Sequence, residues 1–359
     1  MFVTTCGEKW ASVERIDKEL ELIQPKPPAI RVFDAGVGDG TVISGVLRRL
    51  HQRYPNAPFL VVGKEISLED IRLAMDKIAD RLVEHPETVF VFTNLYYYEA
   101  PYLQPKNEAD QAATVYYDIR LEGQNSFGFE RQIKDTHKNL ADLWQVAPSE
   151  KTGNPRYVTP TVVTISRADR SFTLDHLVPK KGNPELEYDV VIAAQPYRAR
   201  LPLQKKVDYV LRPMAKVLAP NGILVGVQST GKDPGLEIIQ EIWPDEAPFN
   251  TPGPLLTRSL LETMQQLTPD RIYRDVTDDS DALFRYHMHT MPSEVDHNIG
   301  TSTLLAAWNA AAYVAQIEDS RLTEVMSGGA DYIGATQKIL ERYGGLWFTN
   351  EAFVVQRKK

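Results

Sequence analysis

Cysteine is almost missing from this chain of 359 residues, in which Cys6 stands alone. An intramolecular disulfide is therefore excluded, a cysteine metal cluster is unavailable, and nothing calls for an oxidising compartment. No apolar run reaches the ~18 residues of a membrane-spanning helix. The first residues lack the basic stretch and apolar core of a secretory signal, so a cytoplasmic location is expected. Positive charge is also short: 40 Lys and Arg face 48 Asp and Glu, a net charge of −8. That is the wrong field for a general polyanion-binding surface, and it disfavours nucleic acid as a partner. Internal repeats and low-complexity tracts are absent as well. What is present is 43% hydrophobic residues, ample for the core of one enlarged domain or two.

The most informative stretch is 30–50, where an apolar run ends at Asp34 and Gly36, Gly38 and Gly40 precede a helical pattern. It reads as strand, tight turn and helix. Glycines are needed because such a turn visits conformations that a Cβ forbids, and because a ligand must touch bare main chain. A dinucleotide-binding turn has the spacing G-x-G-x-x-G, which would put its third glycine at Thr41. Here the spacing is D-x-G-x-G-x-G, and the turn resembles motif I of the class I S-adenosylmethionine-dependent methyltransferases. Four more segments follow in that family's order. Residues 58–82 resemble the second strand and helix, with Glu65 at the strand end, 31 positions after Asp34. Residues 88–100 resemble the third strand and 187–200 the fourth. Residues 211–230 resemble the helix, Pro-Asn-Gly turn and fifth strand.

The resemblance implies an α/β fold: a seven-stranded, mostly parallel sheet flanked by helices, with an α+β insertion and a helical insertion. It also implies S-adenosylmethionine as cofactor and S-adenosylhomocysteine as product. Asp34, Gly36, Gly38 and Gly40 would surround the methionine portion, and Glu65 would accept from the ribose hydroxyls. Ile66, Asn94 and Leu95 would surround the adenine; the family often has Asp where Asn94 stands, and Asn keeps a carbonyl that can accept from the adenine amino group. Gln195-Pro196-Tyr197 occupies the place where amino-methylating relatives carry Asn/Asp-Pro-Pro-Tyr. The longer Gln and the missing Pro disfavour a planar amine as acceptor. Another contact to cofactor or substrate is expected from these three residues, with Tyr197 a catalytic candidate and a plain turn the alternative.

Residues 1–27 form an N-terminal helical segment, with Trp10, Val13, Ile16, Leu20 and Ile23 at helical spacing, that covers the sheet or acts as a lid. The core comprises 28–99 and 188–359. Between them, 100–187 is too long for a bare loop and reads as an inserted α+β subdomain, serving as an active-site wall or a homodimer contact. It holds a helix bearing Ile133, His137, Leu140 and Trp144, then two strands around the turn Arg167-Ala-Asp-Arg170. Residues 231–257, rich in Pro and Gly, read as a loop with one helical turn, and 258–267 as a helix. A helical insertion at 298–344, broken at Gly328-Gly329, would cover the substrate.

In the strand before it, His287 and His289 share a face with Arg285. The histidines are candidate general bases, with a metal pair (Glu294 and His297 being near) or a plain hydrogen-bonded pair as alternatives. Arg285 could hold a substrate carboxylate or form a surface salt bridge. No metal site is assigned. The expected activity is in-line transfer of the S-adenosylmethionine methyl group to a nucleophile on a small metabolite, with no membrane partner. A protein side chain or a nucleobase is the alternative acceptor, favoured by Arg198, Arg200, Lys205 and Lys206. A non-catalytic S-adenosylmethionine-binding protein is a rival, and Thr41 disfavours a nicotinamide-dependent oxidoreductase.

Overall fold

The computed structural model describes residues 6–150, 153–181, 186–289 and 300–358. Among them, ten strands form one sheet: β1 (Ile30–Asp34), β2 (Phe59–Lys64), β3 (Thr88–Thr93), β4 (Val115–Leu121), β5 (Thr161–Arg167), β6 (Tyr188–Ala194), β7 (Leu218–Ser229), β8 (Tyr273–Asp275), β9 (Leu283–His287) and β10 (Trp347–Arg357). Their order is β8-β10-β7-β6-β1-β2-β3-β5-β4, and β9 also pairs with β10. The five strands from β3 to β7 across β1 are parallel, and β10 enters antiparallel beside β7. The first three strands are buried at every position except Arg31, as strands covered on both faces must be.

The mostly parallel α/β sheet flanked by helices is as expected, but it is larger than seven strands. Segment 100–187 contributes β5, antiparallel to β3, and β4, parallel to β5. Its chain does not form two strands around Arg167–Arg170. After β5 comes a single 3₁₀ turn at Ala168–Arg170 and a short helix at Ser171–Leu174. The Arg167 guanidinium forks onto Asp169 (2.9 and 2.6 Å) and reaches the Leu82 carbonyl at 3.3 Å, which turns the chain off the sheet.

Helices α1 (Glu8–Glu19), α2 (Thr41–Arg53), α3 (Leu68–Glu84) and α4 (Ser126–Leu143) cover one face, packing Val13, Ile16, Ile43, Ile71 and Ile133 against it. The opposite face is covered by α5 (Arg212–Lys216) and, after α6 (Pro234–Ile242), by α7 (Gly253–Leu267), through Met214, Leu256, Leu260 and Met264. A third core, with Ile239, Trp308, Leu340 and Phe348, joins α6 to α8 (Thr301–Val314) and α9 (Tyr332–Tyr343). Helix α6 replaces the loop expected at 231–257. Asp233 caps it by accepting from Leu236 N at 3.0 Å, Pro234 opens its first turn, and burial of Ile238 and Ile239 supplies the driving force. Among the described residues no helix is long and apolar enough to cross a membrane.

Candidate active site

The turn after β1 is built by two carboxylates. Gly36 N donates to Asp34 Oδ1 and Gly38 N to Glu65 Oε2, both at 3.0 Å. Glu65 Oε1 also accepts from Ile66 N (2.7 Å) and Ser67 N (2.9 Å), so this carboxylate faces the glycine turn and braces it against the end of β2. The three glycines differ in kind. A Cβ on Gly40, which has φ +79°, would lie 2.9 Å from the Cα of Ala74, so this glycine lets α2 pack on α3 and does not line the crevice. A Cβ on Gly36 would meet nothing nearer than the Ala194 carbonyl at 4.0 Å. Packing does not require a bare backbone there.

Gly36 and Gly38 instead floor a crevice of about 320 Å³ at the carboxyl ends of β1 and β6, walled by Glu8 and Ser12 of α1, Gln195, and Tyr313 of α8. That volume lies in the range of small-molecule sites. Its lining holds one carboxyl, Glu8, and one ammonium, Lys9. Burial raises the Glu8 carboxyl above its ordinary range, with the Asn350 and Gln195 amides (3.4 and 3.3 Å) pulling the other way. Burial pushes Asp34 up to about 7; the Gly36 N–H opposes this and the nearby Glu65 charge adds to it. The Asp34 Oδ2 atom is buried with no hydrogen-bond partner among the described residues.

Lys9, the cation in the crevice lining, is paired with Asp39. Burial would raise the Asp39 carboxyl, but Lys77, Lys9 and Thr41 together hold it well below its usual range. Asp39 also accepts from Thr41 N at 3.2 Å and Thr41 Oγ1 at 2.8 Å, which engages the first N–H of α2. A pyrophosphate at this turn would compete with Glu65 and Asp39 for the N–H groups of Gly38 and Thr41.

A recess of about 60 Å³ adjoins the crevice and shares Gln195 and Ser229 with it. Gln195 has a left-handed backbone (φ +49°), its N–H donates to the Val227 carbonyl at 2.8 Å, and its Nε2 donates to Ser229 Oγ at 2.8 Å. Within the recess, Tyr197 Oη donates to Gln228 Oε1 (2.9 Å), and Gln228 Nε2 donates to Glu351 Oε1 (2.7 Å). Lys206 is only 2% exposed and donates to the Ala199 carbonyl at 2.8 Å and to Thr251 Oγ1. Burial lowers its pKa to about 8, against the pull of Glu351.

Several residues singled out in the sequence are not brought to this place. Asn94 is buried, with Nδ2 donating to the Thr159 carbonyl and Oδ1 accepting from Thr161 N, each at 2.9 Å, so its carbonyl is turned into the insertion. Leu95 is fully buried in the core, and Ile66 packs half-buried against the same core. Pro196 is buried and lines neither the crevice nor the recess. Arg285, His287 and His289 are exposed and alternate with buried Tyr286 and Met288; Arg285 lies over the Trp347 ring, 5.5 Å from its centroid. None of the three lines the crevice or the recess. Glu294 and His297 lie outside the described residues. Among the described residues, no group of three or more His, Cys, Asp and Glu side chains could hold a metal ion. Of the basic cluster after Tyr197, Arg198 and Lys205 are exposed, Arg200 is paired with Glu246 at 2.5 Å, and Lys206 is buried in the recess lining.

Glu8, Ser12 and Tyr313 are site residues that sequence reasoning missed. Glu8 and Ser12 stand four apart on α1, beside the Val13 and Ile16 core stripe, so a polar pair flanking that stripe was a usable signal. Tyr313 carries no such signal, because only the folding of α8 onto the sheet brings it near.

No family model and no curated protein matches this chain. Among solved structures, a loganic acid methyltransferase with SAH aligns over 98% of this chain and 92% of its own at 10% identity, with a TM-score of 0.38. A putative type II methyltransferase from Anaeromyxobacter dehalogenans aligns over 96% and 94% at 10% identity (TM-score 0.35). A geranyl diphosphate methyltransferase in complex with GPP and sinefungin aligns over 95% and 78% at 12% identity (TM-score 0.33).

Proposed function

We propose that this chain is an S-adenosylmethionine-dependent methyltransferase acting on a small metabolite. The observation that carries the reading is an open crevice floored by the bare main chain of Gly36 and Gly38 and bordered by Glu8, with the Gly38 and Thr41 N–H groups already held by Glu65 and Asp39. Glu65 has three of its lone-pair sites engaged by N–H groups and keeps capacity for a ribose hydroxyl. Glu8, on the crevice wall, favours the positive groups of the donor. When bound, that donor supplies a methyl group on a cationic sulfur, which departs as a neutral thioether and needs no acid to expel it.

The protein's own residues then have two tasks. One is alignment, since holding reactants collinear and close contributes up to ~7–11 kcal/mol in well-oriented systems. Gln195, fixed at its backbone and tied to Ser229, stands between crevice and recess and sets that line. The other is to receive the acceptor's reacting group. The recess is sized for a functional group and offers Lys206, Gln228 and Tyr197 to it. Burial raises the Tyr197 phenol far above its ordinary range, so Tyr197 positions the acceptor and stays protonated. Glu8, raised toward neutrality by burial, is placed to take a proton from an acceptor that must lose one.

Calorimetry with S-adenosylhomocysteine, followed by a screen of polar metabolites for methyl incorporation, tests this reading. Absence of binding overturns the cofactor assignment; binding with no incorporation across the screen points to a binding protein.

A further inference from the structure

A second cavity of about 310 Å³ lies away from the crevice, between the segment after β3 and helices α5 and α7. Its position is toward the amino ends of the central strands. Tyr188, which opens β6, donates through its hydroxyl to the Pro101 carbonyl at 2.7 Å, and Arg271 donates to the Lys216 carbonyl, two residues before β7, at 2.7 Å. The crevice sits at the opposite, carboxyl ends of those strands.

The cavity's composition is specific. Tyr98, Tyr102, Pro213, Met264 and Leu267 supply apolar walls, while Lys106, Arg212 and Lys216 stand on its border. No acidic residue lines it, although the chain as a whole carries a net charge of −8. The Lys106 ammonium lies over the Tyr98 ring, 4.4 Å from its centroid. Among the described residues neither Lys106 nor Lys216 forms an ion pair, and Arg212 reaches Asp208 only at 3.5 Å. Leu267 is 57% exposed at the mouth, an apolar side chain left in water beside three cations.

We propose that this cavity is a second binding site, for a small soluble anionic amphiphile. The ligand's flat or aliphatic body would pack on Tyr102, Met264 and Leu267, and its phosphate- or sulfonate-class head would be met by Arg212, Lys106 and Lys216. Arg212 supplies forked donors and the two lysines supply point charges, a combination suited to a tetrahedral oxyanion. An apolar floor alone would take a neutral hydrophobe. The three cations, of which Lys106 and Lys216 form no ion pair among the described residues, make the anionic head the selective element.

The probe is 8-anilinonaphthalene-1-sulfonate, titrated by fluorescence, with the neutral N-phenyl-1-naphthylamine as comparison. The wild-type protein should bind the sulfonate saturably. The double variant Lys106→Gln/Lys216→Gln should weaken that binding about tenfold while changing the neutral probe less than about twofold. Leu267→Trp, at an exposed position, should weaken both probes by filling the mouth, and it supplies an independent reading if the double variant fails to fold. Gly36→Val, in the crevice, should leave sulfonate binding unchanged. No saturable binding by the wild type, full-strength sulfonate binding by the double variant, or loss of binding in Gly36→Val would overturn the proposal.

Discussion

Gly36 and Gly40 belong to one turn and are glycine for different reasons. Gly40 is required by its positive φ and by the Ala74 backbone 2.9 Å from where its Cβ would sit, so Gly40→Val should cost about 3 kcal/mol or more in a urea melt. Gly36 has room toward the crevice. Gly36→Val should keep its melting temperature within about 3 °C of wild type yet lose most affinity for S-adenosylhomocysteine. Asp34 adds a pH signature. Its pKa is raised from 3.8 in the unfolded chain to about 7, so the stability it contributes is fully present below the lower value and lost as pH rises through the upper one. Asp34→Asn cannot ionise and keeps the acceptor for Gly36 N. Measured by denaturation at both pH values, it should gain about 3 kcal/mol on wild type between pH 5 and pH 8. Lys206 titrates the other way. Its charge is lost above about pH 8, and capture of an anionic acceptor group in the recess should decline there, a limb that Lys206→Met would remove.

At the scale of elements, the inserted segment is a structural neighbour of the crevice. Trp144, at the end of α4, donates to the Glu65 carbonyl at 3.1 Å, and Asn94 ties the end of β3 to Thr159 and Thr161. Asn94→Ala should therefore lose about 2 kcal/mol of stability, while S-adenosylhomocysteine affinity falls less than about threefold. A direct adenine contact would reverse that ranking. The same elements show what the sequence made legible. β1, the glycine turn and α2 were readable because local conformational need and apolar patterning coincide there. Helix α6 was readable in principle, since Asp233-Pro234 is a cap followed by a favoured first-turn residue, but the surrounding prolines and glycines masked it. The partners of Asn94 and the outward facing of His287 and His289 were not readable. Alternation gives a shared face, whereas which face meets the crevice is decided by pairing with β10.

For the whole molecule, one sheet separates two apolar cores and places at its carboxyl edge a crevice whose borders come from far apart in the chain: Glu8, Gly36, Gln195 and Tyr313. Glu65 and Asp39 already hold the Gly38 and Thr41 N–H groups, so a dinucleotide's pyrophosphate would have to displace them, whereas a cationic adenosyl donor would not. The most direct test is calorimetry of wild type and Gly36→Val with S-adenosylhomocysteine and, separately, with NAD. The account predicts a single saturable site for S-adenosylhomocysteine in wild type, its loss in Gly36→Val, and no heat from NAD. Silence with S-adenosylhomocysteine, or equal binding by the folded valine variant, would contradict it.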